Sequence, residues 1–479
     1  MRVVLLESLS AWWPEALLSV GALAVLLVGA WTRRERWALA VAWLTLLAAA
    51  LALWRSPVPP PTGVFFGLIL CDPFSLAFRW LALGTLAIVL LLASASRELA
   101  PAVRSECYSL LLLLGVGLML MAEANHLLMA YLAMELVSLS SYVLVGLLRE
   151  RRSAEAALKY LLFGALASGI MLFGMSLLFG LTGALAFPDL QAAVAGTSGP
   201  MARALLVAVA LLLAGLAFKI SMVPFHMWTP DAYEGAPAAV TALLSVGPKA
   251  AGLALFLRLL ETLGPLWPSL APLLLALTVA TMTLGNLVAL VQTNVKRLLA
   301  YSTIGQVGYL LIGLAVRTRV GHEALLVYLV AYLFMNLGAF ACVVAVMNGT
   351  GSESLEAFRG LARRAPGLAL ACAVFLLSLA GIPPLLGFLG KFLLFGSALE
   401  AGAVALAVAA AVNSVIALYY YTNLIRLMYF APPAQVGPLS LAPALRLALG
   451  SCAVATLALG LWPGPLMDLI SRLAVVNLL

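Results

Sequence analysis

"AFKISMVPFHMWTPDAYEGAP" (217–237) belongs to an almost wholly apolar chain, yet it holds Lys219, Pro224 and His226 close together. The chain is 479 residues long, 64% apolar and 10% charged, a composition outside that of water-soluble domains. Working outward from this stretch, runs of bilayer-spanning length fall near residues 15–31, 37–54, 74–94, 107–124, 127–148, 155–181, 201–226, 237–260, 267–290, 296–316, 322–347, 366–395, 401–428 and 442–462. About 17 to 25 apolar residues suffice to cross hydrocarbon as a helix. Lipid cannot satisfy backbone amides, and the alternation of a barrel strand is missing. The fold class is therefore an all-α polytopic membrane protein of about fourteen transmembrane helices.

The formal charge of +8 follows loop parity rather than marking a nucleic-acid surface. Arg33, Arg34 and Arg36 follow helix 1; Arg97 and Arg104 follow helix 3; Arg149, Arg151 and Arg152 follow helix 5. Lys296 and Arg297, then Arg359, Arg363 and Arg364, then Arg426 follow helices 9, 11 and 13. By the positive-inside rule these loops are cytoplasmic and both termini face outward. Arg55, Arg203, Arg317 and Arg319 are scattered exceptions. No A-x-A-like site follows the first apolar run, so it reads as a retained helix. The five cysteines are far apart and the histidines number three, which offers no spacing for a zinc, haem or iron–sulfur site. "GFLGKF" (387–392) echoes a phosphate-binding loop but lacks its first Gly, its Ser/Thr and a preceding strand.

Polar and special residues recur at a nearly constant offset. "SYVLVG" (141–146) matches "GYLLIG" (308–313), "EAALKYL" (155–161) matches "EALLVYL" (323–329), and Pro224 matches Pro384. Helices 5, 6 and 7 thus pair with 10, 11 and 12. A period of five helices is odd, so the second copy is inverted, as in many secondary transporters whose ion sites lie at interrupted helices. The interruptions are Pro224 in helix 7 and "GIPPLLG" (381–387), with Gly381, Pro383 and Pro384, in helix 12. The expected organisation is an N-terminal three-helix segment (1–104), a first inverted repeat (105–262), a second (263–430) and a C-terminal helix 14 (431–479).

Lysine is scarce: five against twenty-two arginines. Lys219, Lys249 and Lys391 fall well inside spans, Lys159 about one turn into helix 6, and Lys296 at a helix boundary. A lysine withdrawn from water can lose its proton, which an arginine does not do. Glu135 stands apart among the nineteen acids, which lie mostly in loops or at helix ends. It is about 12 Å into helix 5, where an ionisable group costs at least about 2.5 kcal/mol unless paired or wet. Glu135 opposite Lys219 makes either a site that loads and releases a proton or a static ion pair that fixes helix packing. Lys159 either snorkels to the cytoplasmic end or touches a polar path with its stem. Lys249 follows Pro248 and either carries protons or caps broken backbone. His226 lines the break, in reach of a bridge from Lys219 to Lys249, while His126 and His322 read as solvated. Pro224 removes a backbone donor and frees carbonyls near Lys219, which inside a bilayer calls for protein or water beside them.

"YLAMELVSLSSYVLVG", "ALKYLLFGALASGIMLFG", "AFKISMVPFHMWTPDAYEGAP", "KRLLAYSTIGQVGYLL" and "GIPPLLGFLGKF" together resemble the antiporter-like subunit N family of respiratory NADH:quinone oxidoreductase, complex I. The resemblance runs from about residue 105 to 430. It implies proton translocation through buried ionisable residues, with Glu135, Lys219, Lys249 and Lys391 at the family's relay positions and Lys159 at its helix 6 lysine. Lys391 argues against the related subunit M, which has a glutamate there, and the end at Leu479 against subunit L, which continues into a long lateral helix. The resemblance also implies a bacterial inner membrane and, as partners, subunits M and L and small membrane subunits. NADH, flavin, iron–sulfur clusters and quinone are expected in partner subunits, with no cofactor in this chain. Moving one charge against 100 mV costs about 2.3 kcal/mol, so partners must supply the driving energy. The rival expectation is a subunit of a multi-subunit sodium/proton antiporter; a passive spacer has no use for three midplane lysines.

Overall fold

The computed structural model describes residues 8–55, 62–433, 437 and 439–474. The principal helices are α1 Trp13–Thr32, α2 Glu35–Arg55, α3 Pro73–Ala95, α4 Arg104–Glu123, α5 Leu127–Val145, α6 Arg151–Thr182, α7a Gly199–Ile220 and α7b Trp228–Gly235. They continue as α8 Ala238–Thr262, α9 Trp267–Ala289, α10 Val295–Ala315, α11 Arg319–Thr350, α12a Pro366–Ala380 and α12b Leu386–Glu400, α13 Val404–Phe430 and α14 Pro443–Leu461. Among the described residues, thirteen helices are long and apolar enough to span a bilayer, and α12a is a shorter apolar helix. With α12a and α12b counted as one span, the fourteen apolar runs of the sequence each become one crossing. A short helix, Gly464–Leu473, follows α14 and was not expected from the sequence.

α8, α10 and α11 are buried along almost their whole length, while α1, α2 and α14 leave most of theirs exposed. A helix that is apolar on all sides has no preferred outward face, so the inside of the bundle is chosen by close packing rather than by amphipathicity. Glycine makes the closest approaches: a Cβ on Gly285 would meet the backbone of Gly305, and one on Gly308 the backbone of Met282. These contacts hold α9 against α10.

Both interrupted spans end their first half in the same way. Ser221, with φ of 64°, closes α7a, and Gly381, with φ of 91°, closes α12a. The N–H of Met222 donates to Ala217 O (2.8 Å) and that of Ile382 to Leu377 O (3.0 Å), the six-to-one bond of a Schellman end. Phe225 N then bonds Met222 O and Leu385 N bonds Ile382 O. The Val223–Pro224 and Pro383–Pro384 bonds are cis. Pro224, Gly381, Pro383 and Pro384 thus all sit in the gaps between half-helices.

Arginine is not confined to loops, as the sequence pattern suggested. Arg79 in α3 and Arg258 in α8 are buried, held by Glu15, Glu123 and Asp72, which are also buried. Their acidic partners sit near helix ends: Asp72 caps α3 through Ser75, and Glu15 is in the first turn of α1. A single-residue scan sees an arginine and a helix-end acid separately, and not that four helix ends meet. Beside them a hairpin of β1 Thr62–Val64 and β2 Ile69–Cys71 lies against Ala124.

Candidate functional site

α7a stops inside the bundle, and Lys219 in its last turn points at α5. Its amine is buried and donates to Ser138 Oγ at 2.8 Å. Glu135 lies one turn earlier on α5, half-buried, and accepts from Ser168 Oγ of α6. The expected direct pairing is therefore absent: among the described residues no ion pair joins Glu135 and Lys219. The two groups instead share one face of α5, on neighbouring hydroxyls, because positions three apart on a helix lie together. This geometry departs from a static ion pair.

The opening after α7a is filled from α7b. Trp228 donates its indole N–H to Phe218 O at 3.0 Å, one of the carbonyls freed at the helix end, and stacks on Tyr160 with ring centroids 4.1 Å apart. The other face of the break is met by α9, where Thr281 Oγ1 accepts from Val223 N at 3.1 Å. Lys249 is fully buried on α8 with its amine 4.5 Å from the Trp228 ring and 5.3 Å from that of Tyr233. It has no hydrogen-bond acceptor among the described residues. α8 runs unbroken through Pro248, so Lys249 caps no broken backbone. His226 begins the turn into α7b through its carbonyl, but no hydrogen bond joins its ring to Lys219 or Lys249. Trp228, bonded to the carbonyl of Phe218 next to Lys219 and with its ring against the Lys249 amine, rather than His226, is the aromatic group that meets both ends of the site.

Lys391 reaches back from α12b into the second break. Its amine donates to Ala380 O and to Ser414 Oγ, each at 3.1 Å, and lies 4.3 Å from the Tyr309 ring. A cation at the carbonyl end of α12a is favoured by the helix dipole. A Cβ on Gly381 would come within 2.9 Å of Lys391 Cδ, so glycine here serves both the left-handed turn and the lysine's path. Around it runs a buried web that the sequence analysis overlooked. Ser414 Oγ bonds Tyr309 OH (3.4 Å), Asn286 Nδ2 bonds Tyr309 OH (3.2 Å) and Tyr420 OH bonds Asn286 Oδ1 (3.0 Å). Gln306 links Tyr328, Tyr421 and Leu379 O, while Tyr421 meets Ser302 and Tyr332 bonds Thr303. Asn336 of α11 reaches Ser245 of α8 at 2.6 Å, one turn before Lys249. The signal was present: Ser302, Gln306 and Tyr309 in "YSTIGQVGYLL", and Tyr328, Tyr332 and Asn336, recur at three- and four-residue steps.

Lys159 is not among these buried groups. Its side chain is 44% exposed, and its amine pairs with Glu155 (2.9 Å) and Asp231 of α7b (3.1 Å). Asp231 also receives Arg297 of α10 (2.9 Å), and Arg297 reaches Glu234 (2.7 Å). Arg152 of α6 joins Glu234 to Glu353. Lys296, at the helix boundary where the sequence placed it, is fully buried and bonds Glu353 (2.7 Å) and Ala236 O (2.9 Å). Burial pushes the Glu353 carboxyl up, but Lys296, Asn294 and Arg152 outweigh it and hold it below the usual carboxylate range. Glu98, whose carboxylate accepts from Ala238 N at the start of α8, is raised by burial against the pull of Lys296. The histidines expected to be solvated differ: His126 is half-buried and caps α5, and His322 is 11% exposed beside Glu261.

Comparison with known proteins gives this geometry a setting. Residues 124–417 match the family described as NADH:quinone oxidoreductase/Mrp antiporter, TM. The chain is 42% identical over 496 residues to NADH-quinone oxidoreductase subunit N of Anaeromyxobacter sp., covering 96% of this chain and 95% of the relative. It is similar to a chain of respiratory complex I from Thermus thermophilus, at 35% identity and a TM-score of 0.81 over 95% of this chain and 98% of that one. A chain of the Mrp complex from Dietzia sp. is similar at 25% identity and a TM-score of 0.86, covering 97% of each.

Proposed function

The chain belongs to the NADH:quinone oxidoreductase/Mrp antiporter transmembrane family, and from that premise we propose that it is a proton-translocating membrane subunit of NADH:quinone oxidoreductase. It works as one subunit of a multi-subunit membrane enzyme whose redox chemistry lies elsewhere, with NADH, flavin, iron–sulfur clusters and quinone held by partner subunits. One observation carries the proposal: three buried lysines, Lys219, Lys249 and Lys391, lie at or beside two helix breaks, with buried hydroxyls and amides around them. A spacer buried in lipid gains nothing from such groups, each of which costs energy to bury.

Protons are taken up from the cytoplasmic side toward Lys219, with Glu135 one turn away on α5 setting how readily it loads. They pass Lys249 across Trp228, move through the web of Ser302, Gln306 and the tyrosines, and leave by Lys391. Residues 105–262 and 263–430 act as two inverted repeats, supported by the matching ends of α7a and α12a. In this reading the rim of Arg152, Lys296 and Arg297 faces the cytoplasm across a bacterial inner membrane, with both termini outside, a sidedness supported by the basic loops.

The test is Lys219→Ala and Lys391→Ala in the assembled complex, reconstituted in vesicles. Both variants should assemble and both should lose most proton uptake driven by NADH oxidation. Full pumping in either removes that lysine from the path. The likeness to the Mrp chain favours a second reading, a subunit of a cation/proton antiporter. Copurification with NADH-oxidising subunits decides for the first, and sodium-driven proton exchange without them for the second.

A further inference from the structure

The N-terminal helices hold a charged cluster that the path above does not use. At the end of the bundle where α1 and α3 begin and α4 and α8 end, Arg79 donates from Nε to Glu15 Oε1 (2.8 Å) and from Nη2 to Glu15 Oε2 (2.6 Å) and Ala11 O (3.0 Å). Arg258 donates to Asp72 Oδ1 (2.6 Å) and Ala122 O (2.7 Å). Glu123 lies between them, fully buried and 2.9 Å from Arg79 Nε. That N–H already points at Glu15, and neither oxygen of Glu123 receives a hydrogen bond.

Charge and hydrogen-bond counts agree on what is missing. The described groups that face Glu123 are Glu15 from α1, Asp72 and Arg79 from α3, Arg258 from α8 and the Cys71 thiol, kept neutral by burial, from β2. With Glu123 this makes three carboxyls against two guanidiniums. Four acceptor atoms end here without a donor: Asp72 Oδ2, both oxygens of Glu123 and Oδ1 of the adjacent Asn125. Buried acceptors are rarely left so, and an ionised carboxylate without hydrogen bonds is the costliest of them. A proton on Glu123 answers both counts, since it removes the surplus charge and supplies a donor. A small cavity between α3, α4 and α8 is lined by apolar groups, Phe78, Leu81, Leu118 and Ala251 among them, with Thr85 the one hydroxyl. Asn125, by contrast, donates to Gly67 O of the surface hairpin.

We propose that Glu123 is a proton-binding carboxyl, separate from the Glu135 and lysine path, that carries a proton in the resting chain and exchanges it at the hairpin end of the bundle. Infrared difference spectra of the purified, assembled complex test this, comparing wild type with Glu123→Gln and, as a control, Glu135→Gln. Glutamine has the shape of the protonated acid, so Glu123→Gln should assemble at wild-type yield and lose one buried carboxylic C=O band. Glu135→Gln should keep that band. An unchanged band in Glu123→Gln overturns the proposal, and so does failure of that variant to assemble, because a neutral isostere should be tolerated only where the native group is neutral.

Discussion

At the scale of single residues, the distinction between lysines is one of surroundings rather than of type. Lys219 is buried on a hydroxyl, while Lys159 is 44% exposed on two carboxylates. An arginine can keep the second arrangement, since it binds carboxylates at least as well, but it cannot give up a proton in the first. Lys159→Arg should therefore retain proton pumping within a factor of about two, as expected for an exposed pair worth little by itself. Lys219→Arg should lose at least about tenfold, because a permanent cation replaces a titratable amine. Pumping in vesicles, scaled to NADH oxidation, measures both, and equal losses would place Lys159 on the path as well. The scarcity of lysine marked Lys219, Lys249 and Lys391 from the sequence, since all three are buried. It could not separate Lys296, which is equally buried but spent on Glu353. Side-chain partners come from other helices, and a one-dimensional count does not see them.

The helix is the scale at which the two broken spans agree and then part. α7a and α12a close with the same Schellman bond, yet Lys219 precedes its break while Lys391 follows its own. The two broken spans thus share their backbone openings, and each carries its lysine on a different half-helix. Gly381 shows how tightly the second opening is made, with a left-handed φ of 91° and Lys391 Cδ 2.9 Å from where a Cβ would stand. Gly381→Ala should cost roughly 1 to 3 kcal/mol in backbone strain and push the Lys391 amine off Ala380 O. Gly396→Ala, on α12b with open space around it, is the control and should be silent. The pair is read by thermal melting and by pumping, and a Gly381→Ala complex that pumps normally would show that Lys391 need not lie against the α12a end. The spans and both breaks were legible because hydrophobic length and proline act locally. Trp228 was not, since an indole inside an apolar stretch looks like packing until its N–H is seen on Phe218 O.

Across the whole molecule, a rim of ion pairs ties α6, α7b and α10 to the turn after α11, in addition to the buried bond of Asn336 to Ser245. α6 contributes Arg152, α7b Asp231 and Glu234, α10 Lys296 and Arg297, and the turn after α11 Glu353. Since α7b also carries Trp228 beneath Lys249, the rim fixes the half-helix that packs against this lysine. Glu353 is the member with most to lose, because its removal leaves the fully buried Lys296 amine with only Ala236 O. Breaking a buried pair costs roughly 3 kcal/mol at the low end. Glu356, at 62% exposure on Arg359, contributes at most a few tenths of that, as surface pairs do. Glu353→Gln should therefore lower the melting temperature of the assembled complex clearly and Glu356→Gln hardly at all. The sign with pH follows from the lowered Glu353 value: its contribution is complete above the ordinary glutamate value of about 4.3 and is lost as pH falls through the lower folded value. The gap between wild type and Glu353→Gln should hold steady from neutral pH to about pH 5 and close only in stronger acid. A gap that already closes between pH 7 and pH 5 would mean that Glu353 titrates in the physiological range, which would make the rim a participant in proton transfer instead of its frame.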